Sequence, residues 1–123
     1  MKFKPFRSKV RYVPPYDNKE LHVPGMNYCG PGTNVWRRFR EKVRPIDELD
    51  SACRSHDIVT ELRGPYTSKG DPRKLRAADR RLRDKALKLA APWHPYKDKL
   101  LAAAVAAAME YVLRTGKRGR RIK

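Results

Sequence analysis

Long hydrophobic runs are absent from this 123-residue sequence. The longest apolar stretch, LLAAAVAAAM at residues 100–109, is about half of the roughly 20 residues a bilayer-spanning helix requires. It reads as a buried helix, and the chain as a soluble protein. The opening MKFKPFRSKV is basic and broken by proline, with no apolar stretch behind it, so it does not read as a secretory signal. Cysteine is scarce. Cys29 and Cys53 permit one disulfide at most, and without a signal the redox compartment stays open. A Zn²⁺ site using Cys29, Cys53 and a histidine is disfavoured, since no C-x2–4-C or H-x3–5-H pair occurs. Acidic residues are also few, 13 against 30 Lys and Arg, for a net charge of +17. Residues 1–11 carry five basic and no acidic side chains, and residues 114–123 carry six and none, leaving +6 for residues 12–113. Charge concentrated in the tails predicts an anionic partner, nucleic acid or a lipid surface, the plain alternative being solvated tails that aid solubility.

The length suits one modest core, and no internal repeat divides it. Residues 1–22 read as a basic extended arm, 23–115 as the folded domain and 116–123 as a basic tail. Pro5, Pro14, Pro15, Pro24 and Pro31 are too dense for a helix, leaving room for a short strand near KVRYV. From Pro45, PIDELDSACRSHDIVTEL predicts a first helix unbroken until Gly64, with Asp47 and Glu48 at its positive end. RGPYTSKGDP is a loop, and a second helix is expected from about Arg73 to Ala91, where Pro92 stops it. A third should run from about Tyr96 to Thr115.

Side-chain phase at about 100° per residue singles out a few positions. On the second helix Leu75, Ala78, Leu82, Ala86 and Leu89 form one apolar stripe, with Asp79 pointing into it. On the first, Leu49, Cys53, His56 and Thr60 share a stripe, so an imidazole also faces inward. Two long helices joined by a short loop pack antiparallel, which brings His56 toward Asp79 and predicts a buried pair. Asp57 lies a quarter-turn on, at the margin of that face. Upstream, NYCGPGT at residues 27–33 exposes carbonyl oxygens around a sharp bend, either a plain turn or a cation cradle.

Taken in order, YCGPGT, PIDELDSACRSHDIV and GDPRKLRAADRRL resemble the phospholipase A2 domain of parvoviral minor capsid proteins, a relative of the secretory phospholipases A2. The similarity runs from about Val23 to Leu89. It implies a mainly α fold with two antiparallel catalytic helices, a Ca²⁺-binding loop and a third helix. It further implies that the carbonyls of Tyr28, Gly30 and Gly32, with the Asp57 carboxylate, bind Ca²⁺, an oxygen donor set suited to a hard cation. His56 is then the general base, Asp79 orients it, and the Gly30 N–H helps stabilise the oxyanion. A Cys29–Cys53 disulfide is implied by the secretory enzymes, which tie the loop to the helix three residues before the catalytic histidine, although parvoviral domains generally do without it. One position departs from the pattern. Where the family has a tyrosine four residues after the histidine, this chain has Thr60, leaving Tyr66 and Tyr111 as phenols to serve Asp79.

The implied activity is Ca²⁺-dependent hydrolysis of the sn-2 ester of membrane phospholipids by a virion component that breaches the endosomal membrane. A secreted phospholipase is the alternative location. Trp36, Arg37 and Arg38, with Arg40 and Trp93, are the expected lipid contacts. The rival reading is an inactive, basic capsid or packaging protein that keeps the scaffold and binds nucleic acid through its tails. Capsid protein is a further expected partner.

Overall fold

The computed structural model describes residues 10–16, 20, 23, 25–30, 33–60 and 71–115. Among these the secondary structure is four helices: α1 (Val35–Arg40), α2 (Glu48–Thr60), α3 (Pro72–Ala90) and α4 (Lys99–Thr115). The possible strand near KVRYV does not form over the described residues 10–13.

Each helix begins where a short polar side chain satisfies an otherwise unpaired backbone N–H. Asn34 accepts from Arg37 N at the start of α1, Asp71 from Arg73 N at α3, and Asp98 from Leu101 N at α4. At α2 the arrangement is reciprocal. Asp47 accepts from Asp50 N at 3.0 Å, while the Asp50 carboxylate reaches back to Ile46 N at 2.8 Å, in the manner of a capping box. These caps account for the shift of two predicted starts: α2 begins at Glu48 rather than Pro45, and α4 at Lys99 rather than Tyr96. Tyr96 instead sends its hydroxyl 3.0 Å to Asp47, tying the α3–α4 connector to the head of α2. The predicted extension of α2 toward Gly64 lies outside the described residues. Helix α1, six residues long, is an element that hydrophobic periodicity did not reveal.

Helices α2 and α3 run antiparallel, because His56 meets Asp79 near one end and Glu48 meets Lys85 at 3.2 Å near the other. Helix α4 returns along α3, with Arg83 on Glu110 and Arg76 on the Leu113 carbonyl. Lys99 closes the turn by donating to the carbonyls of Leu89 and Ala91 at the C-terminal end of α3, where a cation also suits the helix dipole. The predicted α3 stripe is buried throughout: Leu75, Ala78, Leu82, Ala86 and Leu89 all face inward. With Leu49, Cys53, Val35 and Tyr28 they make the core, and Ala102 and Ala106 let α4 approach closely.

Candidate active site

Helix phase carries His56 inward from α2, and antiparallel packing sets Asp79 of α3 opposite it. His56 Nε2 lies 2.7 Å from Asp79 Oδ1. Asp79 is 1% exposed, so its carboxylate lies in a low-dielectric surround and depends on its hydrogen bonds. The other ring nitrogen, Nδ1, faces Asp57 Oδ1 at the longer distance of 3.4 Å. Burial lowers the imidazole's proton affinity, but the hydrogen bonds and charges of Asp57 and Asp79 outweigh it, pushing the His56 pKa up to about 9.

The loop at 25–30 is fixed from α2 by Asp50. Its Oδ1 accepts from Tyr28 N at 2.7 Å and Cys29 N at 3.1 Å, and its Oδ2 accepts from Asn27 N at 2.9 Å. Three successive N–H groups turned onto one buried carboxylate leave the loop no freedom to rotate. A disulfide between Cys29 and Cys53 joins the same two elements. The Cys29 carbonyl is taken by Val23 N, and Gly30 adopts φ +137°, a conformation that side chains disfavour. Thr33 Oγ1 donates to the Gly30 carbonyl, which keeps a second lone pair.

Asp57 follows Asp50 by seven residues, close to two helical turns. It therefore lies on the side of α2 that faces the loop. Among the described residues no group of three or more His, Cys, Asp or Glu side chains is arranged to hold a metal ion. A cation here must draw on main-chain oxygens, and the donor chemistry of Tyr28, Gly30 and Asp57 is the all-oxygen kind that suits Ca²⁺. Gly32, the remaining predicted ligand, lies outside the described residues.

A family model for the phospholipase A2-like domain matches residues 19–94, more than half of the chain, and includes the loop at 25–30 and helices α1, α2 and α3. The chain belongs to the phospholipase A2-like domain family. No curated protein and no solved structure matches it. The mainly helical architecture is that expected of a phospholipase A2-like fold.

Within this phospholipase A2-like domain, two of the residues expected to touch lipid are corrected. Arg38 is fully buried, its guanidinium held by both oxygens of Glu20 at 2.8 and 3.0 Å and by the carbonyls of Val13 and Pro14. Trp36, two residues earlier on α1, packs in the core at 9% exposure. Val13, Pro14 and Glu20 supply the partners that make Arg38 interior. Arg37 stays exposed but is committed to Glu41 and to the face of the Tyr16 ring, 3.7 Å from its centroid. Arg40 and Trp93 are exposed as expected, Trp93 at 72%. Of the two phenols considered for Asp79, Tyr111 is half-exposed on α4 and Tyr66 lies outside the described residues. Thr60 makes no hydrogen bond to Asp79 among the described residues. Asp50 was missed by the sequence reading. Its signal was the D-x-x-C spacing into the His-Asp pair, which placed it beside the disulfide that anchors the loop.

Proposed function

We propose that this chain is a Ca²⁺-dependent phospholipase A2 acting on the sn-2 ester of membrane phospholipids. The reading is carried by the 2.7 Å contact of His56 Nε2 with buried Asp79 Oδ1. A carboxylate that accepts the Nε2 proton fixes the tautomer in which Nδ1 carries the lone pair. Nδ1 is then the atom that takes a proton from the attacking water, and no covalent enzyme intermediate is involved. Asp57 sets the charge beside Nδ1. The Asp57 charge raises the proton affinity of His56 and so opposes release of its proton. Calcium held by Tyr28, Gly30 and Asp57 would neutralise that charge, polarise the ester carbonyl and stabilise the oxyanion together with the Gly30 N–H. The dependence on metal is thus expected at two points, the base and the electrophile. The setting we propose, on the family resemblance, is a viral capsid-associated activity at the endosomal membrane.

The test is release of fatty acid from an sn-2-labelled phospholipid by wild type and His56→Asn, with calcium and with chelator. Wild type should lose activity in chelator, and His56→Asn should lose about 10²–10⁴-fold with calcium present. Equal rates for the two proteins would sink the enzymatic reading.

A further inference from the structure

Burial of Trp36 and Arg38 removes two of the expected lipid contacts from α1, and Arg37 is committed to Glu41 and Tyr16, so most of that surface is lost. Beside the active site, α2 and α3 enclose a groove of about 550 Å³ with His56 in its wall. Ala52, Val59, Ala78 and Leu82 give it an apolar lining, and Arg81 and Lys85 stand at its α3 side. Arg81 and Lys85 belong to a longer series. Lys74, Arg81, Lys85 and Lys88 are separated by seven, four and three residues, so they fall within about 60° of one another around the helix and extend over about 21 Å. Lys74, Arg81 and Lys88 are exposed and make no ion pair among the described residues, while Lys85 meets Glu48 across the groove at 3.2 Å. The two acidic residues of α3 lie off this line. Asp79 is buried against His56, and Asp84 is bonded to Arg83.

We infer that this cationic stripe, Lys74, Arg81, Lys85 and Lys88, is the surface by which the chain docks on an anionic phospholipid bilayer, presenting the groove and His56 to the lipid. The choice of a bilayer over nucleic acid rests on the phospholipase reading and on the apolar groove beside the charges. Nucleic acid would use the cations and leave that lining without a role. A lipid uses both, its headgroup charge against the stripe and its hydrocarbon against Ala78 and Leu82. Three uncompensated cations close to an anionic surface are each worth about fivefold in affinity.

The experiment measures co-sedimentation of the full chain, carrying His56→Asn and in chelator so that lipid is not consumed, with phosphatidylcholine vesicles with and without phosphatidylglycerol. The chain should bind only the anionic vesicles. Lys74→Gln, Arg81→Gln and Lys88→Gln together should weaken that binding on the order of a hundredfold. The charge-conserving set Lys74→Arg, Arg81→Lys and Lys88→Arg should keep it, which excludes misfolding as the cause. A control set with the same charge loss elsewhere, Lys42→Gln, Arg44→Gln and Lys97→Gln, should have little effect. Equal losses for the stripe and control sets overturn the proposal, because net charge alone then governs binding. So does a stripe set that loses a duplex oligonucleotide but keeps the vesicles. Hydrolysis of a monomeric short-chain phosphatidylcholine by the otherwise unaltered chain tests the enzymatic reading without any surface. Failure there alongside stripe-dependent vesicle binding overturns the catalytic assignment and leaves the docking surface standing.

Discussion

The carboxylate of Asp50 accepts the backbone N–H of Tyr28 at 2.7 Å, and through it helix α2 dictates the shape of a loop that lies 22 residues upstream. The same carboxylate serves Asn27, Cys29 and Ile46. Asp50→Asn would turn an amide NH₂ toward N–H donors, leaving buried groups unsatisfied. A loss of about 2–4 kcal/mol is expected, measured as a fall in the urea midpoint. Calcium affinity should fall as well, although His56 and Asp57 are unchanged.

The Cys29–Cys53 disulfide fastens the same loop by a different means. It closes a sequence separation of 24 residues, for which the chain-entropy account gives about 3 kcal/mol. Cys29→Ser with Cys53→Ser should therefore lower stability by that order in urea unfolding. Because Asp50 still holds the loop's N–H groups, calcium affinity should drop less in this variant than in Asp50→Asn. The reverse ranking would show that the disulfide, not the carboxylate, shapes the loop.

Burial of the Glu20–Arg38 pair makes a pH prediction. Burial acts to raise the Glu20 pKa, but hydrogen bonds from Arg38, Tyr16 N and Asn34 N prevail and lower it from 4.5 to about 2. A carboxyl whose pKa is depressed on folding stabilises above its unfolded value and loses that contribution as pH falls through the folded one. The stability difference between wild type and Glu20→Gln should be full above about pH 4.5 and vanish toward pH 2. At neutral pH the substitution strands Arg38 and is expected to cost about 3–5 kcal/mol.

How much of this was readable beforehand depended on the range of the interaction. Leu75, Ala78, Leu82, Ala86 and Leu89 declare their stripe because a helix repeats every 3.6 residues, and the same phase puts His56 opposite Asp79. Helix α1 offers no such repeat, since six residues complete fewer than two turns. Arg38 resembles a surface residue because its partners are Val13, Pro14 and Glu20, and no local pattern announces a partner 18 residues away. Asp50 falls off the Leu49–Cys53–His56 stripe, on the side where its partners are backbone groups that carry no side-chain signature.

Titration of His56 offers the most direct reading of the site, since its imidazole sits between Asp79 and Asp57. Nuclear magnetic resonance of the calcium-free chain should place its pKa near 9, against an ordinary value of 6.5. A raised folded pKa stabilises the protein fully below about 6.5, and that contribution is lost as pH rises through about 9. His56→Gln should accordingly be most destabilising at acid to neutral pH and nearly neutral above pH 9. Asp79→Asn removes the charge at Nε2, so the His56 pKa should move back toward 6.5. In wild type, calcium should move it the same way, because a cation on Asp57 cancels the field at Nδ1. If calcium leaves the titration unchanged while activity still requires it, the coupling between Asp57 and the base is wrong, and the metal serves the ester carbonyl alone.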